Sequence, residues 1–265
     1  MIGLFFGDTE FPKKILLKIK QKKQNYIILD FSKKKSFRKN PYSQSFGIGQ
    51  FGKIFKFLSE KKCKKVLFAG KISKPKFSSL KVDYKGFYYL PSIIKAAKLG
   101  DAAILRAIIK IFVKEKIKVI KSNAYNQELT LSKGCHTKLK PNTKDLVSVN
   151  KGIRSLGLLN PNNHVQGLIV RNSKIVGIEK IYGTKKMLQT ISKKKKSYGI
   201  LIKFPKKNQD LRVDLPTIGF DTLKDCKKSG IKGIVLKSKQ NIFIDQNKSI
   251  KYANKNKIFI IAKWK

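Results

Sequence analysis

Short apolar segments alternate with amphipathic segments through the first half of the chain, and this alternation is the strongest constraint on its fold. Apolar segments at residues 2–6, 26–31 and 66–69 have the length of β-strands. Ile54 and Leu58, which lie between two of them, recur at the spacing of one helix face. Strands that alternate with helices form a parallel sheet with helices on its faces. The sequence therefore predicts an α/β fold with a Rossmann-like parallel sheet in the N-terminal half.

The remaining elements can be assigned by the same patterns. In the first half, helices are predicted at residues 12–20, 53–61 and 91–116, with a break at Gly100-Asp101, and a further strand at 118–120. In the second half, strands are predicted at 166–170, 175–181, 198–204, 231–236, 241–245 and 258–262, and helices at 143–156, 187–191 and 222–228. The strands at 231–236 and 241–245 are expected to form a hairpin. This pattern predicts a C-terminal domain of mixed α/β type.

Loop-forming residues indicate where the two domains meet. Ser132-Lys133-Gly134 and Pro141-Asn142 cluster between the two patterns. We therefore predict an N-terminal Rossmann-like domain over residues 1–134 and a C-terminal α/β domain over residues 135–265.

The composition is that of a folded protein despite a formal net charge of +46. Hydrophobic residues make up 41% of the sequence, which is enough for a core. The 61 basic residues are 56 lysines and 5 arginines spread along the chain, a pattern typical of base-composition drift in an AT-rich genome. A nucleic-acid-binding module usually retains arginine, whose planar fork binds phosphates and bases. We predict no nucleic-acid partner, but we expect attraction to an anionic membrane surface.

Cysteine spacing and the N-terminal residues exclude several other classes. Cys63, Cys135 and Cys226 are far apart and form no C-x-x-C motif, so neither a zinc site nor a disulfide framework is predicted. A reducing compartment is expected. The chain reaches Asp8 without a basic segment, so we interpret its start as a strand rather than a signal peptide. No run approaches the roughly 20 apolar residues of a membrane span.

Residues 210–214 are the strongest candidate site. Asp210 and Asp214 are two of only 15 acidic residues, and they flank Arg212. Pro216 favours extended backbone before it, and in an extended segment residues two apart share one face. A row of carboxylate, guanidinium and carboxylate suits a divalent cation held beside a phosphate. The alternative interpretation is a surface salt-bridge ladder, which would contribute little to stability.

Other positions are weaker candidates, and each has a structural alternative. Gly7 lacks a G-x-G-x-x-G fingerprint, so it marks either a phosphate-binding helix N-terminus or a plain turn. Lys71 follows a strand, where open α/β sheets bind ligands. Asp101 either caps the next helix or contacts a ligand. Gly183-Thr184 is either a phosphate-binding turn or an N-cap.

The segment from Gln209 to Gly219 resembles the signature of the bacterial UDP-2,3-diacylglucosamine pyrophosphatases of the LpxI type. Other segments similar to that family fall in the same order along the chain. They are Gly49-Gln50-Phe51-Gly52, residues 69–75, residues 100–107 and Gly183-Thr184. The resemblance covers essentially the whole chain, and the signature around residue 214 is its most specific part.

The resemblance implies two α/β domains that hold a lipid-linked nucleotide between them. It implies hydrolysis of the pyrophosphate bond of UDP-2,3-diacylglucosamine to UMP and 2,3-diacylglucosamine 1-phosphate, a step in lipid A biosynthesis. It also implies a divalent metal, usually Mg²⁺, and a cytoplasmic protein associated peripherally with the inner membrane. Whether the protein is a monomer or a homodimer is left open.

The resemblance places the catalytic aspartate at Asp214, with Asp210 as its companion, and we expect both carboxylates to hold the metal. The cation would neutralise charge on the pyrophosphate and orient the attacking water. Substrate contacts are expected from Arg212, Lys203, Lys71, Gln50, Asp101, Gly183, Thr184 and Thr217. The alternative is a non-catalytic RNA- or sugar-nucleotide-binding protein, although the sequence contains no RNP motif.

Overall fold

A computed structural model describes residues 1–72, 77–163, 165–191, 197–207 and 209–263 of the protein. Contacts between residues divide the chain into two compact units. The N-terminal unit comprises Met1–Gln127 and Asp210–Asp214, and the C-terminal unit comprises Glu128–Gln209 and Leu215–Lys265. The sequence predicts residues 210–214 within the C-terminal domain, whereas in the structure they belong to the N-terminal unit.

The N-terminal unit alternates strands and helices, as the sequence predicts. Its elements are β1 (Ile2–Phe6), α1 (Phe11–Gln21), β2 (Tyr26–Asp30), β3 (Ser43–Ser45), α2 (Phe51–Glu60), β4 (Lys65–Ala69), α3 (Tyr84–Lys98), α4 (Asp101–Lys114) and β5 (Lys118–Ile120). The strands form one sheet in the order β3-β2-β1-β4-β5, and every neighbouring pair is parallel. The predicted parallel sheet is therefore confirmed.

The central strand β1 is buried on both faces because helices cover both sides of the sheet. On one face, Leu4 and Phe6 pack with Ile15 of α1. On the other face, Phe5 packs in a core shared with α2, α3 and α4, and its ring centroid lies 5.1 Å from that of Phe112. Strands covered on both faces are nearly continuous in apolar residues, which is why the sequence pattern of β1 is so clear.

The C-terminal unit is a second α/β unit. Its elements are β6 (Gly134–Cys135), α5 (Thr143–Asn163), β7 (Gly167–Arg171), β8 (Lys174–Ile178), α6 (Gly183–Gln189), β9 (Gly199–Lys203), β10 (Thr217–Ile218), α7 (Phe220–Lys228), β11 (Ile231–Lys237), β12 (Ile242–Phe243), α8 (Gln246–Lys255) and β13 (Phe259–Lys263). The main sheet has the strand order β6-β13-β11-β9-β7-β8. Strands β9, β11 and β13 are parallel, whereas the pairs β6–β13, β7–β9 and β7–β8 are antiparallel. The predicted mixed α/β type is confirmed.

Two predictions for this unit are wrong. The expected hairpin does not form, because β11 pairs in parallel with β9 and β13, while β12 pairs in parallel with β10. A strand buried in the middle of a sheet needs backbone partners on both edges, and these come from distant segments. The helix predicted at 143–156 continues to Asn163. A glycine such as Gly157 costs a helix only about 1 kcal/mol, and burial of Val149 and Leu156 in the core opposes that cost.

The helical stretch predicted from residue 91 begins earlier, at Tyr84, and Pro91 lies inside α3. The carboxylate of Asp83 explains the earlier start. It accepts hydrogen bonds from the N–H of Gly86 in α3 at 2.8 Å, and from the N–H groups of Gly52 and Lys53 in α2 at 3.0 and 2.9 Å. One carboxylate therefore caps two helices, where unpaired N–H groups and the helix dipole favour a negative charge. Burial opposes ionisation, but the three hydrogen bonds lower the pKa of Asp83.

No helix in the described part of the chain is long and apolar enough to cross a membrane.

We expect Asp83→Ala to reduce the free energy of unfolding by about 2 kcal/mol, because each helix loses a cap worth about 1 kcal/mol. The folded-state pKa lies below the ordinary value of 3.8. The contribution of the carboxylate is therefore complete above that value and is lost as the pH falls below it. Urea unfolding of both proteins at neutral pH and at about pH 3 measures the two effects.

The matched control is Asp221→Ala, which removes an exposed acid from the first turn of α7. Its effect should stay below about 0.5 kcal/mol. If Asp83→Ala and Asp221→Ala lower the free energy of unfolding equally at neutral pH, Asp83 does not cap both α2 and α3.

Candidate active site

The segment Asp210–Asp214 forms a turn, so the predicted extended conformation is wrong. The carbonyl of Asp210 accepts hydrogen bonds from the N–H groups of Val213 at 3.1 Å and Asp214 at 3.0 Å. Its carboxylate accepts a third from the N–H of Arg212 at 2.9 Å. Aspartate favours turns of this kind because its side chain competes for nearby backbone N–H groups. The following proline restricts only the residue directly before it, so it does not prevent the turn.

Arg212 and Asp210 form a bidentate ion pair within this turn. Arg212 donates from Nε to Oδ1 at 3.0 Å and from Nη2 to Oδ2 at 2.7 Å. The hydrogen bonds from Arg212 lower the pKa of Asp210, and the carboxylate raises the pKa of Arg212 in return. The charge of Arg106 on α4 lowers the pKa of Asp210 further. Sequence reasoning paired Asp210 with one arginine and missed the second, because Arg106 is distant in the chain.

The turn is held by the end of β5, within the N-terminal unit. The carbonyl of Arg212 accepts a hydrogen bond from the N–H of Ser122 at 2.7 Å. Val213 packs against the hydrophobic core that covers one face of the sheet. Open α/β sheets bind their ligands at the carboxyl ends of parallel strands. Asp210 and Asp214 are therefore placed at the ligand-binding edge of this sheet.

The same edge contains the topological switch point between β1 and β4. Beyond these strands, the backbones of Asp8 and Lys71 exchange two hydrogen bonds of 2.8 Å. This close approach requires glycine, since a Cβ atom at Gly7 would lie 2.5 Å from the Lys71 carbonyl oxygen. Gly70 has a φ of +86°, which also favours glycine. The hydrogen bonds between Asp8 and Lys71 thus fix the backbone of Lys71 at the carboxyl edge of the sheet. The side chain of Lys71 is exposed there, so an anionic ligand can reach it.

Other predicted positions in this unit have structural roles. The N-cap of α4 is Gly100, and Asp101 is exposed in the first turn of the helix, so the predicted capping role of Asp101 is wrong. Gln50 occupies the N-cap position of α2, and its Oε1 accepts a hydrogen bond from the N–H of Gly47 at 2.9 Å. Residues 73–75, which the resemblance includes, lie outside the described residues.

A polar triad, consisting of the buried Lys203 and Glu179 and the half-buried Thr184, lies at the carboxyl end of β9 in the C-terminal unit. Lys203 is only 3% exposed. Its Nζ donates to both carboxylate oxygens of Glu179, at 2.9 and 2.8 Å, and to the hydroxyl of Thr184 at 2.7 Å. The hydroxyl of Thr184 donates to Glu179 at 3.0 Å. Sequence reasoning missed Glu179, because it follows a strand that was predicted to continue to residue 181.

The structure divides the predicted site residues between the two units. The N-terminal unit contains Lys71, Gln50, Asp101, Asp210, Arg212 and Asp214, and the C-terminal unit contains Gly183, Thr184, Lys203 and Thr217. Gly183 begins α6 with a φ of +80°. Thr217 is exposed on β10, and its hydroxyl donates to the carbonyl of Leu215 at 3.1 Å.

The donor atoms of the turn determine how well a metal fits there. Carboxylate oxygens are the ligands that Mg²⁺ prefers, and Asp210 and Asp214 both supply them. Both carboxylate oxygens of Asp210 already accept hydrogen bonds from Arg212. Among the described residues, no three His, Cys, Asp or Glu side chains gather into a metal-binding cluster. The turn therefore supplies the oxygen donors that a divalent cation takes, and Asp210 shares its donors with Arg212.

Comparison with known proteins gives the class of protein to which this two-unit α/β chain corresponds. Residues 1–129 match the model of the LpxI N-terminal domain, and residues 132–261 match that of the LpxI C-terminal domain. A curated relative, the UDP-2,3-diacylglucosamine pyrophosphatase LpxI of Caulobacter vibrioides, is 34% identical over 227 residues. The match covers 82% of this chain and 80% of the relative. The chain belongs to the LpxI family, which confirms the resemblance inferred from the sequence.

We expect Glu179→Ala to lower the free energy of unfolding by about 3–5 kcal/mol, because it leaves the ammonium of Lys203 buried without its charge partner. The double variant Glu179→Ala/Lys203→Met should recover much of this loss. A double-mutant cycle by urea unfolding measures the coupling.

Glu10→Ala provides the comparison, since Glu10 forms an exposed ion pair with Lys13 at 2.8 Å. Breaking that pair should cost less than about 1 kcal/mol. If Glu179→Ala costs no more than Glu10→Ala, the interaction at Lys203 is not a buried ion pair in solution.

Proposed function

We propose that the protein hydrolyses the pyrophosphate bond of UDP-2,3-diacylglucosamine to give UMP and 2,3-diacylglucosamine 1-phosphate, as a step in lipid A biosynthesis. The observation that carries this proposal is the 34% identity with the Caulobacter pyrophosphatase over 82% of the chain. The family matches in both halves support it, because the likeness is not confined to one domain. We further propose that the protein acts in the cytoplasm, at the surface of the inner membrane.

In this proposal, Arg212 and Lys71 bind the phosphates at the carboxyl edge of the N-terminal sheet. The ion pair with Asp210 uses one N–H of Nε and one of Nη2, so the N–H groups of Nη1 and the second N–H of Nη2 are the proposed donors to a phosphate oxygen. The pair also fixes the plane of the guanidinium before substrate binds, which reduces the entropy lost on binding. Asp210 is therefore a positioning residue in this proposal, and the lowered pKa keeps it ionised.

Asp214 is the proposed catalytic carboxylate and the principal metal ligand. When bound, Mg²⁺ supplies positive charge that offsets the repulsion between an anionic pyrophosphate and an incoming water. Asp214 orients that water toward phosphorus, and hydrolysis adds the water across the P–O–P bridge. Lys71 and Arg212 stabilise the charge that develops on the phosphate oxygens.

Further substrate contacts are proposed in both units. Gln50 and Asp101, at the starts of α2 and α4, are the contacts proposed in the N-terminal unit. In the C-terminal unit, the proposed contacts are Gly183 at the start of α6, Thr184, Lys203 and the exposed Thr217. Lys203 and Glu179 hold the hydroxyl of Thr184 in one orientation.

We expect Asp214→Ala to reduce UMP release at least about a hundredfold, the loss typical of removing a group that stabilises the transition state. UMP is measured by chromatography after incubation with UDP-2,3-diacylglucosamine and Mg²⁺ in detergent. Asp221→Ala, which removes an exposed acid of the C-terminal unit, should retain wild-type turnover.

If Asp214→Ala releases UMP at nearly the wild-type rate, Asp214 is not the catalytic carboxylate. Absence of UMP from the wild-type protein, together with tight binding of a UDP-sugar, would instead indicate a sugar-nucleotide-binding protein without catalysis.

We expect chelation with EDTA to abolish UMP release and added Mg²⁺ to restore it. Calorimetric titration with Mg²⁺ should show binding to the wild-type protein and to Asp221→Ala, and loss of binding in Asp214→Ala. This second measurement does not depend on turnover. Full activity after EDTA treatment and dialysis would reject the metal while leaving the proposed hydrolysis intact.

A further inference from the structure

Helix α3 exposes a stripe of three aromatic residues and one proline, Tyr84, Phe87, Tyr88 and Pro91, which we call the aromatic stripe. These residues follow the spacing i, i+3, i+4 and i+7, so they lie on one face of the helix. Tyr84, Phe87 and Tyr88 are 89%, 72% and 62% exposed. The stripe continues toward Ile94, which is also exposed.

The opposite face of α3 already supplies its contribution to the core. Gly86, Tyr89, Ile93 and Ala96 are buried on that side. A helix on the surface of a globular protein normally exposes polar residues on its outer face. The stripe is therefore not explained by packing within the described residues, and contiguous exposed apolar surface of this kind marks an interaction site.

The residue types of the stripe suit the boundary between water and lipid. Tyrosine has an apolar ring and a polar hydroxyl, and it is enriched where one end of a side chain is dry and the other is wet. The hydroxyl of Tyr88 accepts a hydrogen bond from Nζ of Lys114 at 2.9 Å, and that Nζ lies 4.9 Å from the ring centroid. Lys114 can therefore place its charge at the level of phospholipid headgroups while the ring enters the apolar layer.

Exposed lysines surround the stripe. Lys81, Lys95, Lys98 and Lys114 are exposed on or next to α3. The nearby acids are mostly engaged elsewhere. Asp83 accepts three backbone hydrogen bonds and Glu115 binds Lys85 and Tyr89, whereas Asp101 is exposed at the start of α4.

We infer that the aromatic stripe of α3 docks the protein on an anionic phospholipid bilayer. This inference rests on the proposed function, because an enzyme that acts on a diacyl lipid must reach a membrane. A second copy of the chain fits this surface less well. A two-fold interface would bring the same lysine-rich surface of both copies together, in a chain that already has a net charge of +46. An anionic bilayer instead complements both the rings and the lysines.

The test is sedimentation of the full chain with vesicles of phosphatidylethanolamine and phosphatidylglycerol, compared with vesicles of phosphatidylcholine alone. We expect binding to the anionic vesicles only. The triple variant Tyr84→Ser/Phe87→Ser/Tyr88→Ser should bind at least about tenfold more weakly, because the rings no longer bury apolar surface. Lys95→Glu/Lys98→Glu should weaken binding at least about twentyfold, since each lysine near an anionic surface contributes about fivefold.

Matched controls change the same kinds of residue elsewhere. Leu17→Ser/Val147→Ser/Leu158→Ser removes three exposed apolar side chains from α1 and α5, and Lys251→Glu/Lys255→Glu reverses two exposed charges on α8. Both controls should bind vesicles like the wild type. All variants should release UMP from detergent-dispersed substrate at the wild-type rate.

Several results would overturn the inference. The first is a stripe variant that binds anionic vesicles as tightly as the wild-type protein. The second is a wild-type protein that binds phosphatidylcholine vesicles as tightly as anionic ones. The third is a control variant that loses as much vesicle binding as the stripe or lysine variant. A stripe variant that changes only the dimer content in sedimentation velocity would assign the surface to self-association. Vesicle binding requires no turnover, so it is independent of the proposed hydrolysis. If the wild-type protein binds anionic vesicles, the stripe variant does not, and the wild-type protein releases no UMP, the result supports membrane docking and rejects the proposed hydrolysis.

Discussion

The N-terminal sheet is entirely parallel, and this constraint determines where chemistry can occur in that unit. Since all five strands point the same way, their carboxyl ends meet at one edge. The crossing of Gly7 and Gly70 holds Lys71 at this edge, and the end of β5 holds the turn that contains Arg212 and Asp214. Residues more than a hundred positions apart are thus brought to one edge by strand direction together with the hydrogen bond from Ser122 to Arg212 and the packing of Val213.

Scarce carboxylates in a lysine-rich chain are used first as structural groups. Asp30 accepts hydrogen bonds from two backbone N–H groups of the loop that follows it. Asp83 caps two helices, and Asp145 accepts hydrogen bonds from a backbone N–H and a tyrosine hydroxyl. Glu179 neutralises a buried ammonium, and Asp210 orients a guanidinium. Scarcity alone therefore does not separate catalytic carboxylates from structural ones.

The sequence predicted the parts of the fold that depend on local pattern. Strands β1, β2 and β4 were recognisable because burial on both faces leaves nearly continuous apolar runs. The parallel pairing of β11 was not recognisable, because a short apolar run contains no information about its distant partners. The turn at Asp210 was missed because its conformation depends on a side chain that accepts a hydrogen bond from the backbone two residues later, and because the preference of the following proline was extended beyond the one residue that it restricts.

The candidate site was predictable to a similar extent. The resemblance around Asp214 gave the family, and the strand-end position of Lys71 was correct. The partners that set the electrostatics were not predictable, because Arg106 lies more than a hundred residues before Asp210, and Glu179 reaches Lys203 across an intervening helix. Side-chain pairs of this kind are determined by tertiary structure, and a single sequence contains no spacing rule for them.

The turn at Asp210–Asp214 belongs to the N-terminal unit although it is encoded late in the chain. During translation, most of the protein is therefore synthesised before residues 210–214 can complete the N-terminal unit. Before residue 213 is synthesised, the hydrophobic core of the N-terminal unit lacks the side chain of Val213 that packs against it. The two units cannot mature strictly one after the other during translation, although domains commonly do so. The order of biosynthesis thus couples completion of the first unit to synthesis of the second.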